Sequence, residues 1–422
     1  MPYPRFKISM PLGEVARSLL SLFGRVDPQS PENFAEAFRQ FGGYDQVLLT
    51  GSGRAGFRLL LECAGFPPGS EIIFPSYTFH VMPAVAAECG LRPVFADVDP
   101  ATWNISPESI RARITERTRA IVPTHLFGVP APLEEIGALA RGKGLLVIED
   151  CAHGLGARYQ DRPVGTIGDA ALFTFAMSKN LPCWGGGAVV ARDHALAGRM
   201  RERIGETDPP SAAAILLRQL SDLPGIFLTQ AGIFPWTLYP ALRVADCFGS
   251  DFFDRPFVEA VTGNQLSVIG NRFSGDGATA VDHKSRAAGI SPFQAAVGLR
   301  QLSRFSGWLE RQAVNARYLR GRLEDCPGLQ LQKEPPGTRS SFLYVRARTE
   351  EPDRIRKRLL GQGIDTKPDD MRDCSALSIF PPGPPCPVAG SLGERCIELP
   401  CSPFYSRRQM KRIAGRIIAA LG

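Results

Sequence analysis

From Gln46 onward the chain alternates short apolar runs with stretches of helical spacing. Gln46–Thr50, Glu71–Phe74, Pro93–Val98, Ala120–Leu126 and Leu145–Asp150 are apolar runs of strand length, set between Gly- and Pro-containing breaks. The stretch from about Ala55 to Cys63, one ending at Cys89, Pro107–Ile114 and Leu133–Arg141 carry the helical period between them. Strand–helix alternation with short connections predicts a parallel sheet covered by helices on both faces. After Asp150 the rhythm breaks. Ala170–Phe175 and Gly187–Ala191 lie close together with no helix between them, so part of the sheet is expected to be antiparallel.

The flanks divide the chain further. Residues 1–45 hold two helical patterns, Val15–Phe23 and Phe34–Phe41, and read as an N-terminal arm; 46–205 is the large domain. Residues 206–285 are an apolar insertion and connection. Within it Leu223–Leu242 has no charged residue but carries Pro224, Pro235 and Pro240, which argue against one spanning helix. Two readings stay open for it: a buried insertion, or a segment lying on a membrane surface or partner. Residues 286–422 predict a smaller α+β domain. Its elements are one long amphipathic helix Ser291–Leu323, with a break at Gly307 left open, strands Leu329–Lys333 and Phe342–Arg348, helix Asp353–Gln362, strands Ile364–Lys367 and Ile397–Pro400, and helix Ser406–Leu421. The Pro- and Gly-rich stretch 369–395 reads as a long loop.

Composition narrows the class without naming it. With 422 residues, 44% hydrophobic and 22% charged, the chain has the profile of a soluble globular protein. A net charge of +7 with no block of like charges gives no support to nucleic-acid binding. The ten cysteines form no C-x-x-C pair, so no metal site is expected. They read as reduced thiols of a cytoplasmic protein, and the N-terminus shows no secretory pattern.

The chemistry gathers at strand ends, where ligands bind in α/β sheets. One apolar run ends on Glu149 and Asp150; another leads to Lys179. A carboxylate and a lysine brought together suit pyridoxal 5′-phosphate, whose aldehyde takes a lysine amine and whose ring nitrogen takes an aspartate. Gly51-Ser52-Gly53-Arg54, between a strand and a helix, is a phosphate site in principle and an ordinary turn otherwise. His125 reads either as a site residue or as a core histidine.

In combination these motifs resemble the DegT/DnrJ/EryC1/StrS family of sugar aminotransferases, which have the type I fold of pyridoxal-phosphate-dependent transferases. The resemblance runs from about Leu48 to Ala191 and from Pro292 to the C-terminus. It rests on Pro68–Phe79, Pro93–Pro100, Thr124–Gly128, Glu149–His153, Phe173–Asn180 with Gly185–Gly187, and Phe293–Leu299. It implies an α/β large domain with a mostly parallel mixed sheet between helices, plus a smaller C-terminal α+β domain. It also implies a homodimer whose subunits complete each other's sites. Lys179 would hold the cofactor and shuttle a proton, and Asp150 would pair with the ring nitrogen. Phe79 would stack on the ring, His153 would lie near it, and Ser52, Gly53 and Thr174 would hold the phosphate.

Two substitutions depart from the family pattern. Arg54 stands where the family has Thr, and is kept as a phosphate or substrate-anion ligand. Ala288-Gly289 stands where it has Tyr-Arg. The reading is an aminotransferase moving an amino group, by resemblance from glutamate, to a keto-sugar or related polar ketone in surface-polysaccharide or secondary-metabolite biosynthesis. It is placed in the cytoplasm, with peripheral membrane contact through 223–242. The alternatives are a sugar dehydratase using the same cofactor, in which the family replaces this lysine by histidine, and a non-catalytic regulatory or membrane-associated protein on the same scaffold.

Overall fold

The structure is a computed structural model and describes residues 2–4, 10–21, 24–218, 227–228, 233–247, 288–366, 371–393 and 395–422. Helices α1 (Leu12–Leu20) and α2 (Ser30–Gly42) precede the sheet. Phe34 and Phe38 of α2 are fully buried and pack against Phe175, with Phe38 also edge-on to Phe173. The segment read as an arm thus contributes to the core.

The main sheet takes seven strands: β1 (Gln46–Thr50), β2 (Glu71–Pro75), β4 (Arg92–Ala96), β5 (Thr118–Ile121), β6 (Leu146–Asp150), β9 (Ala170–Thr174) and β10 (Gly187–Ala191). The short strands β3 (Tyr77–Thr78), β7 (Arg158–Tyr159), β8 (Arg162–Pro163) and β12 (Thr338–Arg339) lie outside it. Its order is β1-β10-β9-β6-β5-β2-β4. β10 pairs antiparallel with both β1 and β9, and the remaining pairs are parallel. β10 therefore runs against the other six. The C-terminal ends of β1, β2, β5, β6 and β9 and the start of β10 share one edge. α3 (Gly53–Ala64), α4 (Val81–Glu88), α5 (Pro107–Arg113) and α6 (Leu133–Arg141) supply the connections, and α7 (His194–Gly205) follows β10.

A second sheet, β11 (Gln330–Leu331), β13 (Val345–Arg348) and β15 (Cys396–Leu399), packs with α8 (Pro292–Leu323), α9 (Pro352–Gly361) and α10 (Arg407–Leu421) around Leu319, Phe342, Leu359, Ile397 and Ile413. Ser291 opens α8 with a reciprocal capping box to Gln294, and Ser406 does the same for α10 with Gln409. These hydroxyls set the starts of the two helices.

Several sequence expectations are decided or changed. α8 is unbroken through Gly307, because Phe305 and Trp308 on either side are buried and hold the helix. The run to Leu126 stops being a strand at Ile121, and Leu126–Gly128 is a 3-10 turn. Ile364–Lys367 forms no strand over its described residues; Ile364 makes only a bridge to Tyr3. The stretch 369–395 is more than a loop. Its described part contains β14 (Arg372–Asp373), which pairs with β3, and helix Pro387–Leu392, whose first N–H groups bond the Asp97 carboxylate. Proline-rich sequence conceals both, since each is fixed by a partner nearly three hundred residues away.

Of Leu223–Leu242, residues 223–226 and 229–232 lie outside the described residues. The remainder includes a helix, Leu238–Cys247, with Pro240 in its first turn, where its missing N–H costs nothing. Phe234, Leu238 and Leu242 are buried, and the Tyr239 hydroxyl donates to the Leu360 carbonyl at 3.1 Å. Trp236 beside them is 82% exposed. No described helix is long and apolar enough to cross a membrane.

Candidate active site

The shared strand edge begins with the β1–α3 turn. Ser52 is extended and caps α3, its hydroxyl accepting from Ala55 N at 3.1 Å. Gly53 starts the helix against the end of β9 and the start of β10. A Cβ on Gly53 would stand 2.9 Å from Thr174 Cβ, and one on Gly187 would stand 2.5 Å from Gly53 N. Only residues without a side chain let the helix start sit this close to the sheet. The first turn of α3, with Ser52, Arg54 and Thr174 around it, forms a compact corner where backbone N–H groups favour an anion. Ala288 carbonyl accepts from Gly51 N at 2.9 Å, so the Ala288-Gly289 substitution lies directly against this corner.

The two acids at the end of β6 have separate fates, because successive strand residues face opposite sides. Glu149 is fully buried and saturated. Its Oε1 accepts from Ile167 N (2.8 Å) and Gly168 N (2.6 Å); its Oε2 accepts from Gly165 N (2.7 Å) and His125 Nε2 (3.0 Å). Burial pushes this carboxyl up, but the His125 contact and the Gly168 and Gly165 N–H groups outweigh it and leave it below its ordinary range. His125 Nδ1 accepts from Ala131 N at 3.0 Å, so the proton sits on Nε2 and points at Glu149. His125 is thus the core histidine. His125, Glu149 and Cys151 lie close enough to hold an ion, yet these ligand atoms of His125 and Glu149 are already committed to one another and to backbone groups.

Asp150 is sparsely held. Its Oδ1 accepts from Ala152 N at 3.0 Å and its Oδ2 from Thr124 Oγ1 at 3.3 Å. Burial raises its carboxyl above the ordinary range, and the Ala152 N–H and the Lys179 charge offset this only in part. A buried carboxyl in that state fits a cationic partner such as a protonated pyridine nitrogen. The donor set of this edge therefore fits the cofactor: an anion corner, a buried acid and a lysine.

Lys179 lies half-buried in the turn after β9, where its backbone N–H bonds Ala176 O at 3.0 Å. It lines a cavity with Asn180, Tyr344, Glu398 and Ser402. Its charge is felt by Asp150, which ties the two across the β6–β9 pair. His153 is buried nearby, its Nδ1 accepting from Phe127 N at 3.2 Å. Phe79 follows β3 and is partly buried beside His80, their ring centroids 5.2 Å apart. Sequence reasoning gave no site role to Thr124, Tyr344 or Glu398. Thr124 lay inside a quoted motif, whereas Tyr344 and Glu398 reach the Lys179 cavity only through the packing of the second sheet.

A "Pleiotropic regulatory protein" of Geobacillus stearothermophilus is 42% identical over 191 residues, 45% of this chain and 50% of that protein. The L-glutamine:2-deoxy-scyllo-inosose aminotransferase of Streptomyces fradiae is 37% identical over 197 residues, 46% of each. The chain thus spans about half the length of these curated relatives. The crystal structure of S. venezuelae DesV in complex with a ketimine intermediate superposes with a TM-score of 0.73 at 25% identity, covering 100% of this chain and 98% of that one. The family profile matches residues 14–205 and 265–418, which take in the anion corner, both acids, Lys179 and the second sheet. The chain belongs to the DegT/DnrJ/EryC1/StrS aminotransferase family.

Proposed function

We propose that this protein is a pyridoxal-phosphate-dependent aminotransferase acting on a keto-sugar or a similar polar ketone. The observation that carries the reading is the sheet edge itself. Buried Asp150 at the end of β6 and half-buried Lys179 in the turn after neighbouring β9 lie beside the N-terminus of α3, where backbone N–H groups favour an anion. Ser52, Gly53, Arg54 and Thr174 would hold the phosphate, Lys179 would hold the cofactor through its amine, and Phe79 and His153 would flank the ring. When bound, the cofactor supplies a ring that withdraws electron density from the substrate's Cα. Asp150 keeps the proton on the ring nitrogen. The Lys179 amine would take a proton from Cα and return one to the product as general base and acid.

The Streptomyces fradiae relative is named for a glutamine donor and a cyclic ketone acceptor, which supports an amino-acid donor and a polar ketone here. The supporting experiment supplies ¹⁵N-amino-labelled glutamate or glutamine and measures the 2-oxo acid released in a single turnover. Release of about one equivalent per chain from either donor supports the reading. Release from neither, with pyridoxal phosphate bound, leaves the non-catalytic regulatory alternative; the Geobacillus relative carries the name "Pleiotropic regulatory protein". A second copy of the chain is expected to complete each site.

We also propose contact with an anionic membrane surface near Trp236. Exposed Ile233 and Trp236 precede helix Leu238–Cys247, which carries exposed Val244 and is pinned to α9 at Leu360. Lys357, three residues before Leu360 and so on the same helix face, is exposed. Because Phe234 is core, the informative variant is Ile233→Ser with Trp236→Ser. It should lose sedimentation with phosphatidylserine-containing vesicles while keeping the wild-type melting temperature. Wild-type protein that never sediments overturns the proposal.

A further inference from the structure

Between the second sheet and the cofactor edge, four side chains form one column: Tyr344, Arg346, Phe127 and His153. The Arg346 guanidinium carbon lies 4.4 Å from the Phe127 ring centroid and 5.2 Å from that of Tyr344. Phe127 and His153 are stacked, with centroids 5.7 Å apart and planes 16° from parallel. Arg346 Nη2 donates to Glu398 Oε2 at 3.0 Å, across a register pair of β13 and β15, and both side chains are 1% exposed.

The column has an unusual backbone at its centre. Phe127 has φ +57°, a left-handed conformation rare for an aromatic residue. It is held there by the strand start opposite: its carbonyl accepts from Leu343 N at 3.0 Å, and that of Gly128 from Ser341 N at 3.0 Å. This conformation turns Phe127 N toward His153 Nδ1. Accepting that N–H leaves the His153 ring neutral with its proton on Nε2. Ser341 Oγ also donates to the His153 carbonyl at 3.2 Å. At the other end the Tyr344 hydroxyl donates to the carbonyl of Ser178, the residue before Lys179, at 3.3 Å.

A fully buried ion pair is a poor source of stability, since apolar residues of similar volume often do as well or better. Its value here is geometric. A planar guanidinium is able to stack on two rings at once, which an ammonium does not reproduce. We propose that the Arg346–Glu398 pair is a positioning device for the cofactor edge: through Phe127 it fixes His153 as the Nε2–H tautomer, and through Tyr344 it steadies the Lys179 turn. The tautomer part stands on the chain alone; the effect on the cofactor rests on the proposed function.

The test compares three proteins: wild type, Arg346→Lys, and the apolar swap Arg346→Met with Glu398→Leu. The chain has five histidines, so long-range ¹H–¹⁵N spectra of the histidine-labelled, cofactor-free protein are assignable by substitution. Wild type should show His153 as a single Nε2–H tautomer. The swap should melt no lower than wild type, show mixed His153 tautomers, and bind pyridoxal phosphate about tenfold more weakly, the effect of about 1.4 kcal/mol. Arg346→Lys should also lose the single tautomer. A swap that keeps the wild-type His153 spectrum overturns the proposal. So does an unfolded swap alongside a folded Arg346→Lys with the wild-type spectrum. If no variant and no wild type binds the cofactor, the spectra still decide the tautomer claim while the proposed function fails on its own.

Discussion

Replacing Glu149 with Gln separates a structural acid from Asp150 beside it, the acid proposed to pair with the cofactor. Each Glu149 oxygen accepts two donors: Ile167 N and Gly168 N on Oε1, Gly165 N and His125 Nε2 on Oε2. Glutamine offers one oxygen and one NH2 in the same volume. Whichever way the amide turns, two buried donors lose their acceptor and face another donor. At about 1–3 kcal/mol for each buried group left unsatisfied, the loss is about 2–6 kcal/mol. Urea unfolding of the cofactor-free protein should show the transition moved to lower denaturant with an unchanged slope. The pH dependence follows from the lowered carboxyl of Glu149. A carboxyl depressed in the folded state contributes stability above its unfolded value, about 4.3, and loses it as pH falls through the folded value. Wild type should therefore lose this contribution below about pH 4, and the variant should have none to lose. A Glu149→Gln midpoint matching wild type would refute the assignment of this acid to the fold.

Asp150→Asn should act in the opposite way. The carboxyl is raised by burial, so its ionised form costs stability as pH rises above its ordinary value; the cofactor-free variant should melt at or above wild type near neutral pH. Turnover should fall by at least ~10²-fold, the scale of a preorganised electrostatic contact. Calorimetry and a single-turnover assay check the two halves, and a variant within a few-fold of wild type in rate points to another acid. Gly187→Ala places a Cβ 2.5 Å from Gly53 N, against backbone that has little freedom to yield. It should weaken phosphate and pyridoxal-phosphate binding, measured by equilibrium dialysis, while Gly43→Ala, far from the edge, should not.

Much of the architecture was legible because each main strand is an apolar run closed by Gly, Pro or a polar group, and the helices between them keep their period. The antiparallel β9–β10 pair followed from the missing helix between them. Less legible were features decided by distant partners. The residue pattern alone marks Glu149 and Asp150 alike; the family resemblance singled out Asp150, and the turn 165–168 on one face and Thr124 on the other give the physical difference. The β14–β3 pairing and the column through Arg346 each join residues about two hundred or more positions apart in the chain, and no local pattern records either. Gly307 left a break in the long helix open, and the buried groups on both sides of it decide for one continuous helix. His125 was ambiguous until the Ala131 N–H fixed its tautomer.

The central claim is that the Lys179 amine holds the cofactor at this edge. Reduction of the pyridoxal-phosphate-loaded protein with borohydride, followed by proteolysis and mass spectrometry, tests it directly. The account predicts one phosphopyridoxyl group per chain, on the peptide carrying Lys179, and none on Lys143, Lys333 or Lys357. A label on another lysine, or loaded protein that reduces without any label on Lys179, would contradict it.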